Sequence, residues 1–451
     1  MNVEFGFARR NINPERSCSL AGYFNERIWD KILDDLEVRA FTLKYESNYF
    51  SIVQFDLVTV TQALADAIYK KIEKSDIFAK ESMIITATHT HTAPEIRKNK
   101  PGFDAEYQKI IVDRAIEALN HSVANLQQGD VFIGKAQESR FAFNRRYWMK
   151  NGSVVTNPQK GSSDIDKPEG EVDLEIPLLK IQNKAGNTKF IMANIVNHAD
   201  TIGGNSVSAD WPGFLIKEME KNLGHDSMFM PLIGCAGNIN HFDLNKPSSQ
   251  ASYQEAEQIG MGYASTIKKE LENMEELQIP CMKAANAYIE VRSREITEEE
   301  IVEAQNTLKK YHNVLDAEKG GELTSLDLAK KTPEALKYFA RHLLEAADDK
   351  ETNIFNLTGL ALGNIRIVSL PAEPFVEIGL NIKNEIFPDN FTMVVSHSNG
   401  TGNTNKAGGY IPNRWNYGRG GYETTPRSSP FSMETSEKLL KGIRDLKEKL
   451  S

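Results

Sequence analysis

The sequence predicts an α/β fold, a mixed sheet core layered with helices. Three observations point to it. Short β-branched or aromatic runs bounded by turn residues recur along the chain. Between several of them lie stretches whose apolar residues fall three and four apart. The chain is also long, 451 residues, with 40% hydrophobic and 25% charged residues, the balance of a globular protein with a sizeable core.

Taken in order, VRAFTLKY from Val38 and FSIVQFDLVTV from Phe50 read as strands. TQALADAIYKKIEKS (Thr61 to Ser75) then reads as an amphipathic helix. SMIITATH from Ser82 is a strand, and EYQKIIVDRAIEALNHSVANL (Glu106 to Leu126) a helix. KFIMANIVNH from Lys189 is a strand. PGFLIKEMEKNL (Pro212 to Leu223) is a helix, SMFMPLIGC from Ser227 a strand, and ASYQEAEQIGMGYASTIKKELENM (Ala251 to Met274) a helix. MKAANAYIEVR from Met282, IRIVSLP from Ile365 and TMVVSHS from Thr392 complete the strands. Strands alternating with helices argue for an α/β arrangement.

Ile296 to Lys350 differs. Thr297 with three glutamates behind it is a good helix start, because acidic residues favour the positive end of the helix dipole. Thr332 and Pro333 make a second cap and first turn. A helical hairpin inserted between strands is expected over about 296–350, a lid or a contact between copies. Asn399 to Pro430 is rich in Gly, Asn and Tyr. A loop of that length in a compact domain is usually functional, and Tyr410, Trp415, Tyr417 and Tyr422 argue for order. The chain closes on an amphipathic helix, Glu434 to Leu450.

The net charge of −9 disfavours nucleic acid as a partner, because phosphate contacts need a basic surface. Arg145 and Arg146 form a local basic patch that suits an anionic small molecule. Three cysteines, Cys18, Cys235 and Cys281, provide no disulfide framework. Cys235 reads as a small buried residue. No apolar run approaches the roughly 18 residues of a membrane span. No leader is visible at the N-terminus, so a cytoplasmic location is expected, a removed leader being the alternative.

Chemistry concentrates in histidine. His89 and His91 end one strand-like run and His198 another, and His241 follows PLIGCAGNIN. Strand ends along one edge of a sheet are where α/β proteins hold ligands. On a regular strand His89 and His91 share a face about 6.6 Å apart, too far to chelate one ion unless the strand bends. The simpler expectation is that one binds metal and the other orients substrate. Several imidazoles suit zinc, completed by a carboxylate or water. Glu373, after IRIVSLP, offers that carboxylate or is a solvated turn residue. Asp56, charged within an apolar strand, either orients a ligand histidine or forms a turn. There is no GxxxxGK[ST] and no strand-linked GxGxxG, so nucleotide binding has no signal.

Five segments, in order, resemble the neutral/alkaline (non-lysosomal) ceramidases over their N-terminal catalytic domain. They are GFARRNINPERSCSLAGY (Gly6 to Tyr23), TATHTHTAPE, NHADTIGGNSVSADWPG (Asn197 to Gly213), LPAEPF (Leu370 to Phe375) and GGYIPNRWNYGRGGYET (Gly408 to Thr424). The resemblance implies one ceramidase-like catalytic domain over 1–451, without that family's C-terminal β-sandwich domain. It implies zinc as cofactor, held by His89, His198, Glu373 and Tyr410. His91 would line the metal, Tyr422 would serve as acid or oxyanion donor, and Arg145 would lie near the substrate head group. Zinc in such a site lowers the pKa of water to about 7.

The chain also departs from the family. Where the family has GDxSPN, this chain has GNINHFD (Gly237 to Asp243). Asn238 replaces the aspartate, Asn240 stands at the serine and His241 at the proline. A serine nucleophile is therefore not expected. The expectation is a zinc-dependent hydrolase using activated water on an amide or ester of a polar, non-ceramide small molecule, anionic or sugar-like. Asn240, His241, Arg145 and Trp415 would surround the metal. Metal-assisted carbohydrate chemistry (glycoside cleavage or elimination) and a non-catalytic zinc-binding protein are the alternatives. The loop Gly408 to Thr424 is expected to fold over the metal.

Overall fold

The computed structural model describes residues 3–98, 100–221, 223–224, 226–316, 323–402 and 408–451. Its main sheet contains β1 (Val3–Asn11), β2 (Glu37–Tyr45), β3 (Asn48–Phe55), β4 (Met83–Ala87), β5 (Gln127–Gln137), β6 (Glu175–Asn183), β7 (Thr188–Ile195) and β8 (Met228–Ile233). They run in the order β8-β7-β6-β5-β1-β2-β3-β4. Most neighbours are antiparallel, but β3–β4 and β7–β8 are parallel. A second sheet holds β9 (Met282–Arg292), β10 (Thr352–Leu362), β11 (Ile365–Ser369) and β12 (Phe391–Val395) in that order, and β11–β12 is again parallel.

The strands alternate between two dry faces, which is why several read as nearly continuous apolar runs. Along β3, Phe50 and Ile52 face the second sheet with Ile84, Met192, Leu360 and Met393. Val53 and Phe55 face helices α1 (Gln62–Ile72) and α2 (Ala105–Ala124) through Leu64, Ile68, Ile111 and Leu119. Helices α3 (Asp210–Glu220) and α4 (Tyr253–Glu270) cover β7 and β8 through Trp211, Leu215 and Tyr263. The layers are thus helix, sheet, sheet, helix. The fourth layer is the C-terminal helix, Thr435–Leu450, whose Leu439, Ile443 and Leu446 pack on Phe355, Leu357 and Val368.

Four long strands escaped the sequence reading: β1, β5, β6 and β10. Each mixes apolar residues with Arg, Lys, Gln or Asn, so none reads as a clean apolar run. In β1 the polar end has a structural reason, since Arg9 makes two 2.8 Å hydrogen bonds to Glu220 of α3.

The expected insertion lies between β9 and β10. It holds α5 (Glu298–Lys310), a short helix Ser325–Ala329, and α6 (Pro333–Ala347). Thr297 and Glu300 form a reciprocal capping box, and Thr332 caps α6 with Pro333 in its first turn, as their residue types predict. Residues 317–322 of the insertion, 403–407 of the Asn399 to Pro430 loop, and His225 lie outside the described residues. No helix among the described residues is long and apolar enough to cross a membrane.

Candidate metal centre

Three parallel strand pairs of the two sheets deliver side chains from their C-terminal ends, and these meet. His89 follows β4, His198 follows β7, Glu373 follows β11 and His397 follows β12. Two links draw these ends together. His91 N–H donates to Ala199 O at 3.0 Å. Asn194 on β7 donates to Val394 O on β12 at 3.0 Å and accepts from Val394 N–H at 2.9 Å.

Regular strand geometry does not hold between His89 and His91. His89 has φ +63°, a left-handed conformation uncommon outside glycine. The kink turns both imidazoles inward and brings their Nε2 atoms to 3.2 Å. The neighbouring threonines are pinned on the other side: Thr90 and Thr92 hydroxyls donate to Ser208 O at 2.7 and 2.9 Å. His91 fits only because residue 22 is glycine. A Cβ there would lie 2.6 Å from the His91 ring, and Gly22 has φ +103°.

Backbone carbonyls choose the tautomers. His89 Nδ1 lies 2.6 Å from Val58 O, and His198 Nδ1 lies 2.8 Å from Ala236 O. A carbonyl only accepts, so both Nδ1 atoms carry hydrogen and both Nε2 lone pairs point into the site. Glu373 Oε2 lies 3.5 Å from each Nε2 and has no hydrogen-bond partner among the described residues. Burial opposes ionisation of Glu373, but the adjacent His89 and His198 hold its carboxyl well below the usual carboxylate range. Burial, with His89 beside it, pushes His91 well down.

The nitrogens of buried His89, His91 and His198 all lie within 4.8 Å of one another. Converging lone pairs and an unpartnered carboxylate repel unless a cation or proton joins them, so these residues fit a metal ion. His91 lies within this cluster, beside His89 and His198.

The loop completes one wall. Tyr410 pairs with Glu373 in a short parallel bridge, and its hydroxyl lies 2.8 Å from that of Tyr422. Burial pushes both phenols up; Glu373 adds to the effect at Tyr410, and Arg145 opposes it at Tyr422. Arg145 is buried. It donates to Glu423 Oε1 at 2.9 Å and to Gly237 O at 2.6 Å, and Nη1 lies 3.4 Å from His198 Nε2. Its guanidinium carbon sits 5.1 and 5.4 Å from the Tyr410 and Tyr422 ring centres.

Other expected residues are placed less directly. Both nitrogens of His241 are engaged: Nε2 lies 2.7 Å from Gln250 O, and Nδ1 lies 3.3 Å from Asp200. Burial lowers its pKa, but Asp200 raises it further, so the net shift is upward. The Asn240 amide donates to Asn157 at 3.2 Å and accepts from Phe242 N–H at 3.2 Å. Trp415, expected around the metal, is 56% exposed. Among the described residues Asp56 makes no hydrogen bond or ion pair to a histidine. It is a buried partner of Arg39 at 2.9 Å and accepts from Thr88, one residue before His89.

Sequence reasoning did not single out three contributors. The His397 ring stacks on His89 at 3.9 Å and 19°. Its signal was present, since it ends the TMVVSHS run as the other histidines end theirs. Glu423 is buried between Arg145 and Arg146, at 2.9 and 2.8 Å. Asp200 pairs with His241 two residues beyond His198.

No curated protein matches the chain. Among solved structures, it is similar to a ceramidase complexed with C2, with 17% identity, a TM-score of 0.72, and 99% of this chain covering 75% of that one. It is also similar to the neutral ceramidase from Pseudomonas aeruginosa, with 16% identity, a TM-score of 0.73, and 100% of this chain covering 75% of that one. These likenesses establish the fold. The family model for neutral/alkaline non-lysosomal ceramidase, N-terminal, matches residues 14–244, more than half of the sequence. A chain with that match, that fold and those histidines at the strand ends belongs to the neutral/alkaline non-lysosomal ceramidase family.

Proposed function

We propose that the protein is a zinc-dependent hydrolase acting on an amide or ester bond of a polar small molecule other than ceramide. One observation carries the reading. Three imidazoles and an unpartnered carboxylate converge beside two phenols and a buried guanidinium. Family membership supports hydrolysis.

His89, His198 and Glu373 would hold the ion, with His91 against it and Tyr410 at its side. Zinc, when bound, supplies Lewis acidity toward a carbonyl oxygen and toward water. The remaining chemistry falls to the chain. Tyr422 keeps its proton and offers an O–H to a developing oxyanion. His91, beside the ion, would stabilise the oxyanion or donate to the leaving group. Arg145, anchored by Glu423, fixes both phenols and presents positive charge to the site. Asn240 has no nucleophilic oxygen, so turnover runs without a serine at that segment. His241 is tied to Asp200 and Gln250 and so is held in place rather than free to shuttle a proton.

Elemental analysis of purified protein should return close to one equivalent of zinc. Tyr422→Phe should retain the metal and lower turnover by about 10²–10³-fold. His198→Ala should lose both metal and turnover. Undiminished hydrolysis after complete metal removal would overturn the metal assignment. Efficient cleavage of a long-chain ceramide would overturn the assignment of substrate.

A further inference from the structure

Among the described residues Arg427 is a guanidinium without a protein acceptor, whereas Arg97 pairs with Glu95, Arg145 and Arg146 with Glu423, and Arg341 with Asp316. Arg427 makes no hydrogen bond or ion pair among the described residues, and its Nε is buried without a partner. Its surroundings are aromatic. The guanidinium carbon lies 5.3 Å from the ring centre of Phe24 and 5.0 Å from that of Tyr338 on α6. Phe24 in turn meets the Tyr422 ring edge-on at 5.8 Å. The backbone holds Arg427 in register with both phenols. Thr425 Oγ1 donates to Tyr422 O at 2.7 Å, Ser428 N–H donates to Thr425 O at 3.0 Å, and Tyr410 N–H donates to Ser428 O at 2.8 Å.

Aromatic faces offset part of the charge of a guanidinium, but they take none of its in-plane N–H donors. A planar fork of donors left free beside apolar rings is matched by a carboxylate or phosphate. We propose that Arg427, set against Phe24 and Tyr338, is an oxyanion-recognition subsite, and that the substrate carries a carboxylate or phosphate a few bonds from the carbonyl attacked. The subsite stands on its own geometry. Its place within a substrate rests on the hydrolase reading above.

Three probes with a common acyl group test it: N-butanoylglycine, its neutral amide N-butanoylglycinamide, and N-butanoylethanolamine phosphate. Calorimetric titration of the purified full chain reads affinity, and product release reads turnover. At least one anionic probe should bind about ten-fold or more tighter than the neutral one, as a charge-assisted hydrogen bond requires. The preferred anion identifies carboxylate or phosphate as the natural group. Arg427→Gln should reduce that preference to about two-fold or less while keeping the melting temperature. Arg427→Lys should retain part of it, because the charge survives and the fork does not. Equal affinity for charged and neutral probes, an undiminished preference in Arg427→Gln, or no binding of any probe overturns the proposal. If probes bind with the expected preference but none is cleaved, the hydrolase reading fails and the subsite stands.

Discussion

Asp210 shows how a single residue supports the site without touching it. It sits at the start of α3 with φ +57°, and its oxygens accept Ile202 N–H at 2.9 Å and Trp211 N–H at 2.6 Å. Trp211 Nε1 donates to His198 O at 2.6 Å, so the carboxylate closes the turn that positions a candidate ligand. Burial pushes the Asp210 carboxyl up to about 6, against about 3.9 in an unfolded chain. The native state therefore holds this proton more tightly than the unfolded state does. The stability it contributes is complete below about pH 4 and is lost as pH rises through about 6. Urea unfolding of wild type and Asp210→Asn should show the wild-type advantage shrinking by on the order of 2–3 kcal/mol between pH 4 and 7. A difference that does not change with pH would mean the carboxyl is not held up by burial.

At the scale of elements, the inserted helices are coupled to the site by rings. Phe24 meets Tyr338 at 5.9 Å, Phe339 at 6.2 Å and Tyr422 at 5.8 Å, all edge-on. Its neighbour Tyr23 meets the His91 ring at 5.6 Å. The loop after Leu20 thus joins α6 to two candidate catalytic groups. Phe24→Ala removes three aromatic contacts from a half-buried position. It should cost about 1–3 kcal/mol, below the range for fully buried phenylalanines, and it should speed amide exchange in α6 more than in α2. Equal exchange in both helices would show that the insertion is held by other contacts. The caps of these helices were legible in the sequence, because capping is a local match of side chain to backbone. The packing of α6 on Phe24 was not, because its partners lie more than 300 residues apart.

At the scale of the molecule, the two sheets are tied by buried polar bonds as well as by apolar contact. Asn194 on β7 binds both backbone groups of Val394 on β12 and donates to Leu232 O at 3.1 Å. This holds the ends of two parallel pairs at the spacing the donor cluster needs. Asn194→Ala would leave the Val394 backbone without these partners in a dry interior. A loss of about 2–4 kcal/mol in denaturant unfolding is expected, together with weaker metal retention. A loss below about 0.5 kcal/mol would mean that apolar packing alone sets the sheet spacing.

The sequence by itself determined the class of fold, most helices and the caps at Thr297 and Thr332, and it pointed to His89, His198 and Glu373 as candidate ligands. Period, capping and strand-end position are local properties, readable from neighbouring residues. It left out β1, β5, β6 and β10, whose polar residues blur the apolar pattern although they pair within the sheets. Only the tertiary structure decided that His91 turns in beside His89, because that depends on a left-handed kink and on Gly22 from another part of the chain. It alone revealed His397 against His89, Glu423 under Arg145, and Asp200 opposite His241. Likewise, only folding brings Phe24 and Tyr338 to the side of Arg427. Contacts between residues far apart in sequence arise from packing and burial, and a linear pattern carries no record of which distant side chain will lie opposite.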